Sequence, residues 1–183
     1  SLISTWHNCQ FISNTGNYGG CLDIRNSTAY FTNCTFIDNK AYEDGGAVRS
    51  THSDLQFLNC TFAENSASDY GGAIFNNSGN VSIQNSILWE NYGNDGSSLD
   101  AFMFDQAPAF VVENSLLMED SCVFDYAICN NNLYNTNPLF TDPANGDYSL
   151  QPCSPAINIG NNTFLDSLDF QTDLANQSRI LSN

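Results

Sequence analysis

The chain has 183 residues, with 20 acidic and 4 basic side chains, a formal net charge of −16 and 42% hydrophobic residues. That balance excludes nucleic acid and anionic membrane surfaces as partners, because both are held by basic patches. One ordinary domain with a buried core is affordable at this length, and no apolar run reaches the ~18 residues of a membrane-spanning helix.

The first residues, SLISTWHNCQF, already read as a strand in mid-pattern, so the chain is expected to begin inside a longer precursor or after processing. From there the sequence repeats itself. NCTFIDNKAYEDGGAV at 33–48 returns as NCTFAENSASDYGGAI at 59–74. Aligned on Asn followed by Cys or Ser, the copies start at Asn8, Asn33, Asn59, Asn85 and Asn114, at spacings of 25, 26, 26 and 29. A second Asn follows six residues later at Asn14, Asn39, Asn65 and Asn91. A Gly pair follows at 19–20, 45–46 and 71–72, with Asp95-Gly96-Ser97 as its degenerate fourth copy. The Asn-x-Ser/Thr triplets at Asn26, Asn33, Asn59 and Asn76 are read as chance matches in an Asn-rich chain.

Within each copy the apolar residues alternate. Leu55, Phe57, Cys60 and Phe62 are expected to point inward and Thr61 outward; Val81, Ile83, Ser86 and Leu88 repeat the inward set. Period-two alternation in short runs bounded by Asn, Asp, Ser and Gly means strand–turn–strand. A unit of ~25 residues made only of short strands cannot bury its own faces, so copies must stack. The predicted fold is all-β: a right-handed parallel β-helix, its handedness following the rule for parallel crossovers. Phe11, Phe36, Phe62, Leu88 and Leu117 then form one inward column. The anchor Asn residues form another, at a turn whose left-handed backbone suits Asn and whose amides could bond from rung to rung. The Gly pair marks the sharpest corner.

Three columns could carry chemistry. Before the glycines stand Asn17/Glu43/Asp69/Asn94 and Tyr18/Asp44/Tyr70/Asp95, a ridge of Tyr18, Glu43, Asp44, Asp69, Tyr70 and Asp95. It reads as a solvated turn, as a Ca²⁺ site relieving carboxylate repulsion, or as a grip for a glycan. Cys9, Cys34 and Cys60 fall at one inward position and are expected to pack as free thiols, although rung spacing would admit a Cys9–Cys34 bond. The outward position of Thr35 and Thr61 becomes Ile87 and Leu116, with Trp89 and Met118 nearby. Either the 137–170 segment folds back over this apolar patch, or a partner protein or further domain docks there.

Residues 1–118 are thus expected to form regular coils and 119–183 a less regular continuation of the same solenoid, with a short strand at 147–150. Of Cys122, Cys129 and Cys153, the pair expected to crosslink is Cys122–Cys129. For catalysis, the four cations (Arg25, Lys40, Arg49 and Arg179) form no visible cluster, and Asp23 has Arg49 and Asn76, not acids, as its counterparts. A glycosidase needs paired carboxylates on one face. His7 and His52 occupy different repeat positions.

The repeats Phe11–Asn14, Phe36–Asn39 and Phe62–Asn65, with Gly45-Gly46-Ala47-Val48 and Gly71-Gly72-Ala73-Ile74, resemble those of polymorphic outer-membrane-protein-like adhesins. The first copy departs with Cys21 in place of Ala, and the fourth with Leu88–Asn91. The tail, NPLFTDPANGDYSLQPCSPAINIGNN, resembles the C-terminal part of secreted, surface-anchored bacterial β-helix proteins. The resemblance implies an extracellular or bacterial cell-surface location, an anchor or sorting domain downstream, and adhesion to a host-cell or surface glycan or protein, or to another subunit. The function expected is therefore non-catalytic, adhesin-like display. The alternative is a polysaccharide lyase or glycoside hydrolase with its site partly outside this segment.

Overall fold

The computed structural model describes residues 2–94, 96–102, 110–122, 127–164 and 172. The first turn runs through β1 (Leu2–His7), β2 (Gln10–Ile12), β3 (Thr15–Gly16) and β4 (Leu22–Arg25). The second follows as β5 (Ser27–Thr32), β6 (Thr35–Ile37), β7 (Lys40–Ala41) and β8 (Val48–Thr51). The third is β9 (Asp54–Leu58), β10 (Thr61–Ala63), β11 (Ser66–Ala67) and β12 (Ile74–Asn77). The fourth has β13 (Val81–Gln84), β14 (Ile87–Trp89) and β15 (Leu99–Phe102), with a single Ser66–Tyr92 bridge on its third side. Two partial turns follow, β16 (Phe110–Glu113) with β17 (Leu116–Leu117), and β18 (Ala127–Asn130) with β19 (Leu133–Tyr134). Equivalent strands pair in parallel along the stack. Sheet A is β1-β5-β9-β13-β16-β18, sheet B is β2-β6-β10-β14-β17-β19, and sheets C (β3-β7-β11) and D (β4-β8-β12-β15) close the other sides.

Corners are made by single residues in the left-handed region. Between sheets A and B stand Asn8, Asn33, Asn59, Asn85, Asn114 and Asn131, with φ between 51° and 55°. Asn tolerates this region better than other non-glycine residues, which is why it recurs there. At the Gly corner the constraint is steric: a Cβ on Gly46 would lie 1.9 Å from the Gly72 carbonyl oxygen.

The core is a pair of aromatic columns. Phe11, Phe36 and Phe62 stack at 4.9 and 4.4 Å with planes 5° and 4° apart, and Leu88 and Leu117 extend the column in register. Beside them Phe31 stacks on Phe57 at 4.9 Å, and edge-to-face contacts such as Phe57–Phe62 at 5.1 Å join the two columns. Offset and edge-to-face arrangements add to the burial of these large side chains.

The rung-to-rung amide ladder lies in the second Asn column, not in the anchor column where it was expected. The amide nitrogens of Asn14, Asn39 and Asn65 donate to Oδ1 of the next Asn at 3.0, 2.9 and 2.8 Å. The same oxygens accept the backbone N–H of the preceding Asn. Each following amide donates its second hydrogen back to a Phe carbonyl, Phe11, Phe36 or Phe62. The anchor amides turn outward instead: Asn33 donates to the Thr172 carbonyl and Asn85 to the Asn161 carbonyl.

Parallel pairing continues past residue 118, through Asn130 and Tyr134. The sixth copy escapes an alignment on Asn-Cys/Ser because Asn132 stands where Ser is expected; its Oδ1 accepts the Ser115 backbone N–H at 2.9 Å. A disulfide joins Cys122 to Cys129 as expected, and the other five cysteines are free. Beyond the stack, β20 (Phe140–Asp142) and β21 (Asp147–Leu150) form an antiparallel hairpin.

That hairpin answers the question of the apolar outer column. Phe140 packs with Ile37 and Ala63, and Ile87, Trp89, Tyr148 and Leu150 join the cluster. Leu116 is fully buried, and Ile87, Trp89 and Met118 are half-buried. Ile87 and Trp89 therefore pack against the protein's own hairpin, Leu116 is buried within the fold, and Met118 keeps part of its surface exposed. The Tyr148 hydroxyl donates to Glu64 Oε1 at 2.8 Å and pins the hairpin to the third turn.

Candidate functional site

The ridge before the glycines forms as the repeat requires. Backbone bonds run from Glu43 N–H to Asn17 O, from Asp69 N–H to Glu43 O and from Asn94 N–H to Asp69 O, at 2.8, 3.2 and 2.7 Å. Gly19 and Gly45 donate to the carbonyls of Asp44 and Tyr70, which places Tyr18, Asp44 and Tyr70 in successive turns. Asp95 lies outside the described residues.

Sequence reasoning missed a cation in this ridge. Arg49, from β8, lays its guanidinium carbon 4.3 Å from the centre of the Tyr18 ring, a cation–π contact. Its Nη1 is 3.7 Å from Asp23 Oδ1 and its Nε 4.0 Å from Asp44 Oδ2. Arg25 Nη2 approaches Asp23 Oδ2 at 2.6 Å. Two of the four cations thus converge on Asp23, and the expectation of scattered cations fails. The reason is register: Arg49 pairs with Asp23 across the turns, and Arg25 sits two residues further along β4 on the same face. The third-turn counterpart of Asp23 is Phe75; Asn76 pairs with Ser50 and is buried.

Charge in the ridge is therefore met partly from within. Burial raises the Asp44 carboxyl above its ordinary range, and Arg49 opposes that shift. The Tyr18 phenol is raised mainly by hydrogen bonding to Glu43. Among the described residues no three His, Cys, Asp or Glu side chains gather as a ligand set for a metal such as Ca²⁺. Asp69 and Tyr70 remain exposed, the latter by 40%.

The thiol column is internal. Cys34 and Cys60 are buried, Cys9 is half-exposed, and their Sγ atoms donate to backbone carbonyls including those of Thr32, Leu58 and His7. The column continues as Ser86 and Ser115: Cys60 N–H donates to Ser86 Oγ and Ser86 N–H to Ser115 Oγ, both at 3.0 Å. Burial pushes the Cys60 thiol well up, and the Cys21 thiol up to about 12.

A concave surface lies on the outer face of sheet A. Thr5, Tyr30, Gln56, Ser82 and Val111 share one register row across five strands. Two hollows, of about 260 and 400 Å³, meet at Tyr30 and Gln56. Thr28, Asp54, Asn80, Ser82 and Val111 help line the first; Thr5, His7, Gln84, Thr163 and Phe164 help line the second. Phe164 ends a short 3₁₀ turn (Asn162–Phe164) held against the stack by two bonds between Asn85 and Asn161, at 2.8 and 3.1 Å.

Polar side chains on this face are ordered by their neighbours. Gln56 Nε2 donates to Gln84 Oε1, Gln84 Nε2 to Glu113 Oε2, and Asn130 Nδ2 to Glu113 Oε1, at 3.2, 3.2 and 3.0 Å. Asp54 Oδ1 accepts both the backbone N–H and the side-chain amide of Asn80, at 3.2 and 2.7 Å. Tyr30 is 39% exposed. The row carried no signal in the repeat because its residues differ from turn to turn; only the alternation in the strand before each anchor Asn marked them as outward.

A family model described as "Right handed beta helix region" matches residues 3–165. No curated protein and no solved structure matches the chain.

Proposed function

We propose that this chain, which belongs to the family of right-handed β-helix regions, is a non-catalytic, adhesin-like display module of a larger extracellular or cell-surface bacterial protein. The carrying observation is the unbroken parallel register from β1 to β18. An aromatic stack through the first three turns and an amide ladder through the first four stiffen the rod, whose outer rows repeat at the rung spacing of roughly 4.8 Å. Repeated weak contacts along such a rod act by avidity. The Cys122–Cys129 disulfide supports an oxidising compartment.

The test is made on cells carrying the full-length protein. Antibodies against this segment should label intact cells, and deletion of the segment should reduce attachment to a host surface. Absence of labelling on intact cells, with labelling after lysis, sinks the display reading. Release of unsaturated sugars or new reducing ends from a polysaccharide by the purified protein would establish the carbohydrate-active alternative instead.

A further inference from the structure

We infer that the outer face of sheet A binds a neutral glycan chain running along the stack axis, with one sugar ring lying on Tyr30. This deepens the adhesive part of the reading above by giving it a site and a ligand class.

Four observations converge on it. The two hollows adjoin, sharing Tyr30 and Gln56 as walls, so the face offers two neighbouring depressions along the stack on either side of these residues. At its centre stands a half-exposed phenol ring, the kind of flat apolar surface on which the C–H face of a pyranose lies. Around it are short hydroxyl, amide and carboxylate groups with spare capacity: among the described residues the Thr28 and Ser82 hydroxyls and Asp54 Oδ2 make no hydrogen bond. A ligand site is mostly apolar with a few placed polar groups, and these match the paired donors and acceptors of sugar hydroxyls. The polar groups are also held in advance by the Gln56–Gln84–Glu113 chain and the Asp54–Asn80 pair, so less order is lost on binding.

Polymer and charge follow from the same geometry. Successive residues of the row stand one rung apart, roughly 4.8 Å. An extended chain of pyranoses advances by a comparable distance per sugar, so each ring can meet a fresh turn. Asp54 and Glu113 on this face, and the net charge of −16, repel uronates and sialylated chains. The ligand class is therefore uncharged.

Binding is measured by calorimetry on the purified chain with chitohexaose, laminarihexaose and mannohexaose, and with polygalacturonate as the acidic comparison. At least one neutral hexaose should bind, and Tyr30→Ala should weaken it by about tenfold or more, as loss of a central aromatic contact does. Ser82→Trp, which fills the first hollow from an outward position, should weaken it comparably; Tyr42→Ala, at an exposed tyrosine just past β7 and away from sheet A, should leave it unchanged. Circular dichroism confirms that each variant is folded. The inference fails if none of the three hexaoses binds, if binding ignores both Tyr30→Ala and Ser82→Trp, or if polygalacturonate binds more tightly than the neutral chains. Such a failure leaves intact-cell labelling untouched, so the site and the display reading are judged separately.

Discussion

Asn65 Oδ1 accepts two hydrogen bonds from Asn39, one from its backbone N–H at 3.0 Å and one from its side-chain amide at 2.9 Å. Both side chains are completely buried. Asn65 also donates to Asn91 and to the Phe36 carbonyl, so one carboxamide joins three turns.

Replacing Asn65 by Ala would strand two donors on Asn39 and the Phe36 carbonyl in the core. Each buried unsatisfied group costs about 1–3 kcal/mol, so Asn65→Ala should cost more than about 3 kcal/mol in urea unfolding. Asn14→Ala, at the exposed end of the same ladder, should cost under about 1 kcal/mol. Equal losses at the two positions would contradict the ladder.

Arg49→Met removes the cation shared by Tyr18, Asp23 and Asp44. Asp44 is already raised by burial, and Arg49 is the larger of the influences holding it down, ahead of the Tyr70 backbone N–H. Carbon-detected NMR titration should therefore show the Asp44 pKa rising further in the variant. The sign for stability follows. A carboxyl whose folded pKa lies above its unfolded value binds its proton more tightly when folded. Its unfavourable contribution is present above the folded pKa and fades as pH falls through that value towards the unfolded one. The variant should lose more melting temperature at pH 7 than at pH 4.

Phe140→Ala opens the hairpin's contact with Ile37 and Ala63. A Phe-to-Ala change in a packed site costs about 3–5 kcal/mol. The loss should sit near the low end, because the cluster is small and lies at the edge of the molecule. Trp89 shares that cluster, so its emission should shift to longer wavelength as water reaches it. An unchanged spectrum would mean that the hairpin does not shield Trp89.

Thiol reactivity should follow burial. In the native protein Cys153, free and exposed, should react first with a disulfide reagent. Cys34 and Cys60 should react only on unfolding, and Cys21, with its thiol pushed up to about 12, should stay slow at neutral pH. Rapid titration of all five free thiols would contradict the column.

What could be read from the sequence was whatever the stack forces to recur. Phe11, Phe36 and Phe62 must match because they touch one another, and the anchor Asn residues must match because each holds the same backbone angle. Features made by difference were silent. Arg49 finds Asp23 only through strand register, and Tyr30, Gln56 and Ser82 share a row without sharing chemistry. The hairpin's return to Glu64 spans 84 residues, a separation that no local pattern encodes. The anchor position alone predicts amide bonds between rungs; Asn33 and Asn85 instead hold the returning C-terminal chain.

Because sheet hydrogen bonds and the Asn ladder both run along the stack, a pull on its two ends loads the turns in series. The returning chain, clamped at Asn33, Glu64 and Asn85, ties the second, third and fourth turns together, so a turn outside that clamp yields first. Each release feeds out about 26 residues, or roughly 90 Å of contour at full extension. Pulled from its ends, the stack should therefore extend in steps of one turn.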